Sequence, residues 1–86
     1  MEINADYVIR RTILFDNKCG FVLGESPKAP NPYVTWQFNE QDGHRDYFWG
    51  HYHNEPDMAE RDLHNRAEDY QRRYHVFEVE QAPDKE

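Results

Sequence analysis

Two aromatic runs face each other across one turn signal, and they constrain this chain more than any other feature. Tyr33-Val34-Thr35-Trp36-Gln37-Phe38 leads towards Asp42-Gly43, and Arg45-Asp46-Tyr47-Phe48-Trp49-Gly50-His51-Tyr52 leads away from it. Asp-Gly between alternating apolar residues is the strongest short-range signal for a two-residue β-hairpin. With that turn, Phe38 faces Tyr47, Trp36 faces Trp49 and Val34 faces His51, all on one side. A slip of one residue sends every side chain to the other face, so the gathering of both tryptophans on one face itself selects the register. Tyr33, Phe48 and Tyr52 then lie on the opposite face.

The segments around this hairpin extend the same pattern. Tyr7 to Phe15 is rich in β-branched and aromatic residues and reads as a strand, with Tyr7, Ile9, Ile13 and Phe15 on one face and Arg11 interrupting it. Asp16 to Gly20 reads as a turn with Gly20 at a positive φ. Phe21 to Leu23 is then a short return strand, pairing Phe15 with Phe21 and Ile13 with Leu23. Pro27, Pro30 and Pro32 make the next segment an extended loop.

After Tyr52 the period changes from two to 3.6. Asn54 is placed to cap a helix, followed by Glu55, Pro56 and Asp57, residues favoured in a first turn. The helix is expected from about Glu55 to Tyr74, with a narrow stripe of Ala59, Leu63, Ala67, Tyr70 and Tyr74. Asp57–Arg61, Asp62–Arg66, Glu68–Arg72 and Asp69–Arg73 are acid-to-base pairs at i, i+4, each contributing a few tenths of a kcal/mol to an exposed helix. The small stripe residues leave room for the rings of the Trp36/Trp49 face, and the sequence leaves the choice between that face and the tyrosine face open. Val76 to Val79 is a candidate extra strand, and residues 81–86 are expected to be a flexible acidic tail.

The fold class that follows is α+β. Residues 1–80 form one β-β-β-β-α domain, an antiparallel sheet of two hairpins with four strands and room for a fifth, and one C-terminal helix packed on one face. Composition sharpens this reading. Leu, Ile, Val and Phe make up under a fifth of the 86 residues, the mean hydropathy is −1.16 and the net charge is −7. Those values border on disorder, but aromatic residues are 15% of the chain and disordered chains are poor in them. The core is therefore expected to be built largely of rings.

Several functions are argued against. There is no run of 18 apolar residues to cross a membrane and no apolar leader at Met1 to Asp6, and the single cysteine, Cys19, has no internal partner, all of which points to the cytoplasm. The acidic balance argues against direct nucleic-acid binding, which calls for a basic patch. It suits a basic protein partner instead. Residues 55–86 hold ten acids against five bases, so the C-terminal third carries most of the excess.

No catalytic grouping emerges. Ser26 has no elbow motif, Cys19 beside Lys18 reads as a surface thiol, and no glycine-rich phosphate loop is present. The chain is read as a non-enzyme without a cofactor. His51 and His53 are two apart on a strand and point the same way, which would allow both to reach one metal ion. However, no further ligand pair with zinc spacing accompanies them, so no metal site is assigned. The residues expected to meet a partner are Tyr33 and Tyr52 on the free sheet face and Asp57, Glu60, Asp62, Glu68 and Asp69 on the helix.

The run from Pro32 to Phe38, Asp42-Gly43, and the run from Arg45 to Tyr52 resemble a group of small uncharacterised acidic proteins encoded on bacterial mobile elements, over roughly residues 10–75. The resemblance implies a setting rather than a mechanism. Short acidic proteins on phages and plasmids act on host machinery, including restriction and CRISPR nucleases, and an acidic helix can imitate the charge of a phosphate backbone. Together these readings give a protein–protein interaction domain that inhibits or modulates a nucleic-acid-processing or defence protein through its acidic surface. The alternative is a small nucleic-acid- or metal-binding module that uses the aromatic sheet face or His51 and His53.

Overall fold

A computed structural model describes residues 1–80; the segment read as a tail, 81–86, lies outside the described residues. Five strands and one helix follow one another: β1 (Ile3–Asn4), β2 (Tyr7–Leu14), β3 (Cys19–Glu25), β4 (Tyr33–Gln41), β5 (His44–His53) and α1 (Pro56–Tyr74). The strands form one antiparallel meander in sequence order. The fifth strand is the short N-terminal β1, and not the segment near Val79. That segment makes only an isolated bridge between Glu78 and Phe15.

The two hairpins form where the turn residues place them. Asp42 (φ 54°) and Gly43 (φ 76°) supply the two left-handed residues of the β4–β5 turn, which mirrors the strand twist. In the β2–β3 hairpin the left-handed position is Lys18, not Gly20. The pairing also moves by two residues from the expected one, setting Ile13 opposite Phe21 and Leu14 opposite Gly20. Gly20 is needed for closeness instead. A Cβ there would collide with the Ile13 carbonyl oxygen and the Phe38 ring.

Two irregularities decide which side chains share a face. In β2 the register shifts between Ile9 and Arg11, leaving Arg10 unpaired. The bulge divides the expected Tyr7–Phe15 face: Tyr7 and Ile9 fall in one cluster, Ile13 and Phe15 in the other. In β5 the pairs Phe38–Tyr47 and Gln37–Phe48 keep the expected register. Beyond them Thr35 faces His51 and Val34 faces Tyr52. Trp49 and Gly50 together oppose Trp36, which is the arrangement of a β-bulge.

That bulge overturns two expectations. Trp49 does not join Trp36: Trp36 is 5% exposed and Trp49 is 71% exposed. His51 and His53 move to the face of Thr35 and Tyr33, and Tyr52 joins Val34 and Trp36. Tyr33 and Phe48 do lie opposite Trp36.

Both sheet faces carry a core. One holds Tyr7, Val22, Val34, Trp36 and Phe38, with Ile9, Leu14, Ala29 and Tyr47 packed around them. The sheet curls about this face. Tyr7 on β2 and Tyr52 on β5 bring their ring centroids to 6.1 Å although two strands separate them, a span of about 14 Å in a flat sheet. Glu2 ties the opposite edges, accepting hydrogen bonds from Tyr47 and, at 3.4 Å, from Arg45. Burial, and then the Glu2 carboxylate, raise the Tyr47 phenol well above its ordinary pKa, so the hydroxyl stays a donor.

The helix packs on the outer face, against the side opposite Trp36, the face choice that the sequence leaves open. Ala59, Leu63 and Ala67 are buried there with Phe15, Phe21, Leu23 and Val76. The alanines let the helix approach the sheet, and Phe15, Phe21 and Tyr70 fill the far end with mutually contacting rings. The N-cap is Glu55, without a side-chain bond; Asn54, expected as the cap, accepts instead from Asn31 at 2.8 Å. Of the four expected i, i+4 pairs, Asp69–Arg73 forms at 3.3 Å among the described residues. Asp62 and Arg66 turn inward to the sheet.

Candidate interaction surface around Trp49

The polar centre of the molecule lies between α1 and the bulged end of the hairpin. Thr35, in the middle of β4, is 0% exposed and its side chain faces the helix. Arg66 Nη1 donates to the Thr35 hydroxyl at 2.8 Å and to its carbonyl at 3.0 Å. A guanidinium only donates, so Thr35 Oγ1 accepts from Arg66 and donates its one proton to Asp62 Oδ2, at 2.7 Å. Asp62 is one helical turn before Arg66, which brings both to the same face.

Two rings complete the cluster. His51 Nδ1 and His53 Nε2 each lie 3.0 Å from Asp62 Oδ2. An ionised carboxylate only accepts, so each of these nitrogens carries its proton. In their neutral forms the two histidines are therefore opposite tautomers, His51 protonated at Nδ1 and His53 at Nε2. Burial pushes the Asp62 carboxyl up. The bonds from Thr35, His53 and His51 outweigh it and hold the group below the ordinary carboxylate pKa. Burial likewise lowers the Arg66 guanidinium, opposed by the charge of Asp62.

The cluster ends at Trp49. Arg66 Nη2 donates to the Trp49 carbonyl at 2.8 Å, and its guanidinium carbon lies 5.2 Å from the Phe21 ring centroid. Trp49 sits at φ 54°, a left-handed conformation that bulky residues rarely adopt and that costs of order 1–3 kcal/mol. Gly50 does not take that position because it is needed next door: a Cβ on Gly50 would lie 2.7 Å from Trp36 Nε1. The close approach of Gly50 to Trp36 therefore throws the strain onto Trp49 and turns the indole outward. Its ring meets Phe48 edge to face at 5.0 Å.

Beside Trp49 runs a shallow groove of about 320 Å³ between the hairpin and the last turns of the helix. Phe21 and Gln37 form part of its floor, and Tyr70 and Tyr74 border it with Asp69 and Arg73. Tyr74 is itself exposed and stacks obliquely on Tyr70, at 4.5 Å between centroids. Exposed aromatic residues around a concave surface have the composition of a protein-contact patch.

The residues expected from the sequence to bind a partner do not form one surface. Tyr33 packs against the helix-side core, and Tyr52 lies half-exposed on the other face against Tyr7 and Trp36. Asp62 is the inward centre of the cluster. Glu60 pairs with Arg11 at 3.0 Å, and Asp69 with Arg72 and Arg73. Asp57 and Glu68 are exposed. The outward helix surface alternates Asp57, Arg61, His64, Glu68 and Arg72, so it is mixed in charge rather than uniformly acidic.

Trp49, Thr35 and Arg66 are not among the site residues expected from the sequence. The available signal was the Trp-Gly step within a strand, since an isolated glycine there marks a bulge or a close backbone approach. His51 and His53 do share a face as expected, but both rings are turned to Asp62. Among the described residues no three His, Cys, Asp or Glu side chains are arranged to hold a metal ion, and no helix is long and apolar enough to cross a membrane. Comparison with family models, with curated proteins and with solved structures finds no match for this chain.

Proposed function

We propose that this chain is a non-enzymatic protein-interaction domain that docks through the Trp49 groove onto a basic partner, of the kind that processes nucleic acids, and modulates it. A restriction or CRISPR nuclease of a host cell is the partner class that fits the resemblance described above. The carrying observation is Trp49: a large ring, 71% exposed, on a backbone in an unfavourable left-handed conformation whose carbonyl accepts a hydrogen bond from Arg66. Tryptophan is among the residues most enriched at the energetic centres of interfaces.

Charge supplies the partner's sign. Arg10, Arg11, Arg45, Arg72 and Arg73 are each paired with a carboxylate. Asp6, Asp42, Glu55, Asp57, Glu68, Glu78 and Glu80 stay exposed, which with the net charge of −7 favours encounter with a cationic protein. The acidic field acts as a surround to the aromatic groove, a different arrangement from a helix that copies a phosphate row.

The test is affinity capture from a bacterial lysate with the wild-type chain and with Trp49→Ala, each at low and high salt. The expected result is a basic nucleic-acid-binding protein whose capture falls at least tenfold with Trp49→Ala and weakens as salt rises. Capture of the same protein to the same extent by both chains overturns the role of Trp49. Salt-independent capture overturns the role of charge.

A further inference from the structure

The geometry points to a pH-operated latch on Trp49: protonation of His51 and His53 loosens the hold of Arg66 on the Trp49 carbonyl and frees the indole. This rests on the reading of Trp49 as the docking residue only for its biological meaning; the latch itself is a property of the isolated chain.

Charge within the cluster sets the direction of the effect. With both rings neutral, the cluster holds one carboxylate, Asp62, and one guanidinium, Arg66, and its charges cancel. Every polar atom that links them is in use: His51 and His53 donate to Asp62, Asp62 accepts from Thr35, Thr35 accepts from Arg66, and Arg66 donates to Trp49. The Thr35 proton has one place to go, so donation runs outward from Arg66, through Thr35 to Asp62 on one side and to the Trp49 carbonyl on the other.

Histidine is the side chain whose charge changes between pH 5 and 8. If each ring gains its second proton, the cluster goes from neutral to a net charge of +2. The two imidazolium rings keep their bonds to Asp62, now charge-assisted and stronger. Arg66 has no such gain. Its hydrogen-bond acceptors are a hydroxyl and two carbonyls, and it now faces two added cations.

Other charged groups do not reverse this sign. Across the groove His51 also faces Asp69 and Arg73 of α1, but these two are paired with each other. From β4 the cluster is faced by Tyr33, opposite His53, and by Thr35 and Gln37, and none of these adds a cation. Arg66 is therefore the member displaced, and with it goes one of the two restraints on Trp49, the other being the packing of Gly50 against Trp36.

The test is an NMR measurement on the isolated chain between pH 8 and pH 5. Backbone order parameters and the amide–Hα coupling of Trp49 and Gly50 are followed alongside the imidazole resonances. The expected result is that Trp49 and Gly50 lose order together with histidine protonation, while the buried strand residues Val22 and Val34 do not change. In the double variant His51→Gln with His53→Gln, which keeps an N–H donor at each site but no titrating ring, the change is expected to vanish. Unchanged order at Trp49 in the wild-type chain overturns the latch, as does the same change in the double variant. Since no partner takes part, failure of the docking proposal leaves this outcome readable.

Discussion

Trp49 and Gly50 divide between them a conflict that one residue could not resolve. Only glycine fits against the Trp36 indole, and only glycine adopts a left-handed φ without strain, but the bulge needs both properties at adjacent positions. The sequence meets the packing demand with Gly50 and leaves the strain on Trp49. Replacing Trp49 by glycine should therefore leave folding stability unchanged or raise it by about 1 kcal/mol, as the relieved strain offsets the lost ring contact with Phe48. A fall of more than that in chemical denaturation would show that the indole is structural, and would weaken its assignment as a docking residue. Alanine at Gly50 should instead cost about 1–3 kcal/mol, since its methyl would overlap a buried ring. Alanine at Gly43, where nothing lies within 4 Å and only the φ of 76° opposes it, should cost less, about 1 kcal/mol. Denaturation midpoints for the two variants would give this order directly.

At the scale of elements, the helix is joined to the sheet by two unlike contacts. Leu63 and the alanines bury apolar surface, and Arg66 and Asp62 fix the helix in position over Thr35. Removing the Thr35 hydroxyl with the near-isosteric Thr35→Val leaves Arg66 and Asp62 each short of a buried partner. This should cost about 1–3 kcal/mol, and it should release Trp49 as Arg66 loses its anchor. Retained stability and retained order at Trp49 would together show that the cluster is not a staple. The elements themselves were largely legible. Asp42-Gly43 fixed a hairpin, the triple proline fixed a loop, and the Ala59–Leu63–Ala67 spacing fixed the helix and its inner face. Face assignments failed wherever period-two alternation was interrupted. The bulge at Arg10 split Tyr7 and Ile9 from Ile13 and Phe15, and the bulge at Trp49-Gly50 exchanged Trp49 with Tyr52. Alternation alone carries no mark for an inserted residue; Gly50 was the one local sign at the second bulge and Arg10 gave none at the first, so each bulge inverted what lay beyond it. The Asp62 cluster was hidden for a related reason. Asp62 and Arg66 match a self-sufficient i, i+4 pair, and only the packing of Thr35 beneath them shows that both turn inward.

The whole molecule is a curled sheet with rings on both sides, closed along its edges by Glu2 and braced from outside by one helix. Its polarity and its stability meet in the same carboxylates, and acid is the condition that exposes this. Asp62 is held below the ordinary carboxylate pKa, so the folded chain binds that proton more weakly than the unfolded chain does. The stability it contributes is complete above about pH 5, the range in which an unfolded aspartate is fully ionised. It is lost as pH falls through the lower value of the folded state, because the unfolded chain then takes up the proton first. The paired carboxylates Glu2, Glu25 and Glu60 are common to any variant at Asp62 and form a shared background. Denaturation curves collected from pH 7 to pH 2 should therefore show Asp62→Asn less stable than the wild-type chain at neutral pH, with the gap closing below pH 4. The closure isolates Asp62, since the cationic self-repulsion that builds up in acid weighs on both chains alike. A gap that stays constant down to pH 2 would mean that the Asp62 charge adds nothing to folding. The cluster would then hold Trp49 through hydrogen bonds alone.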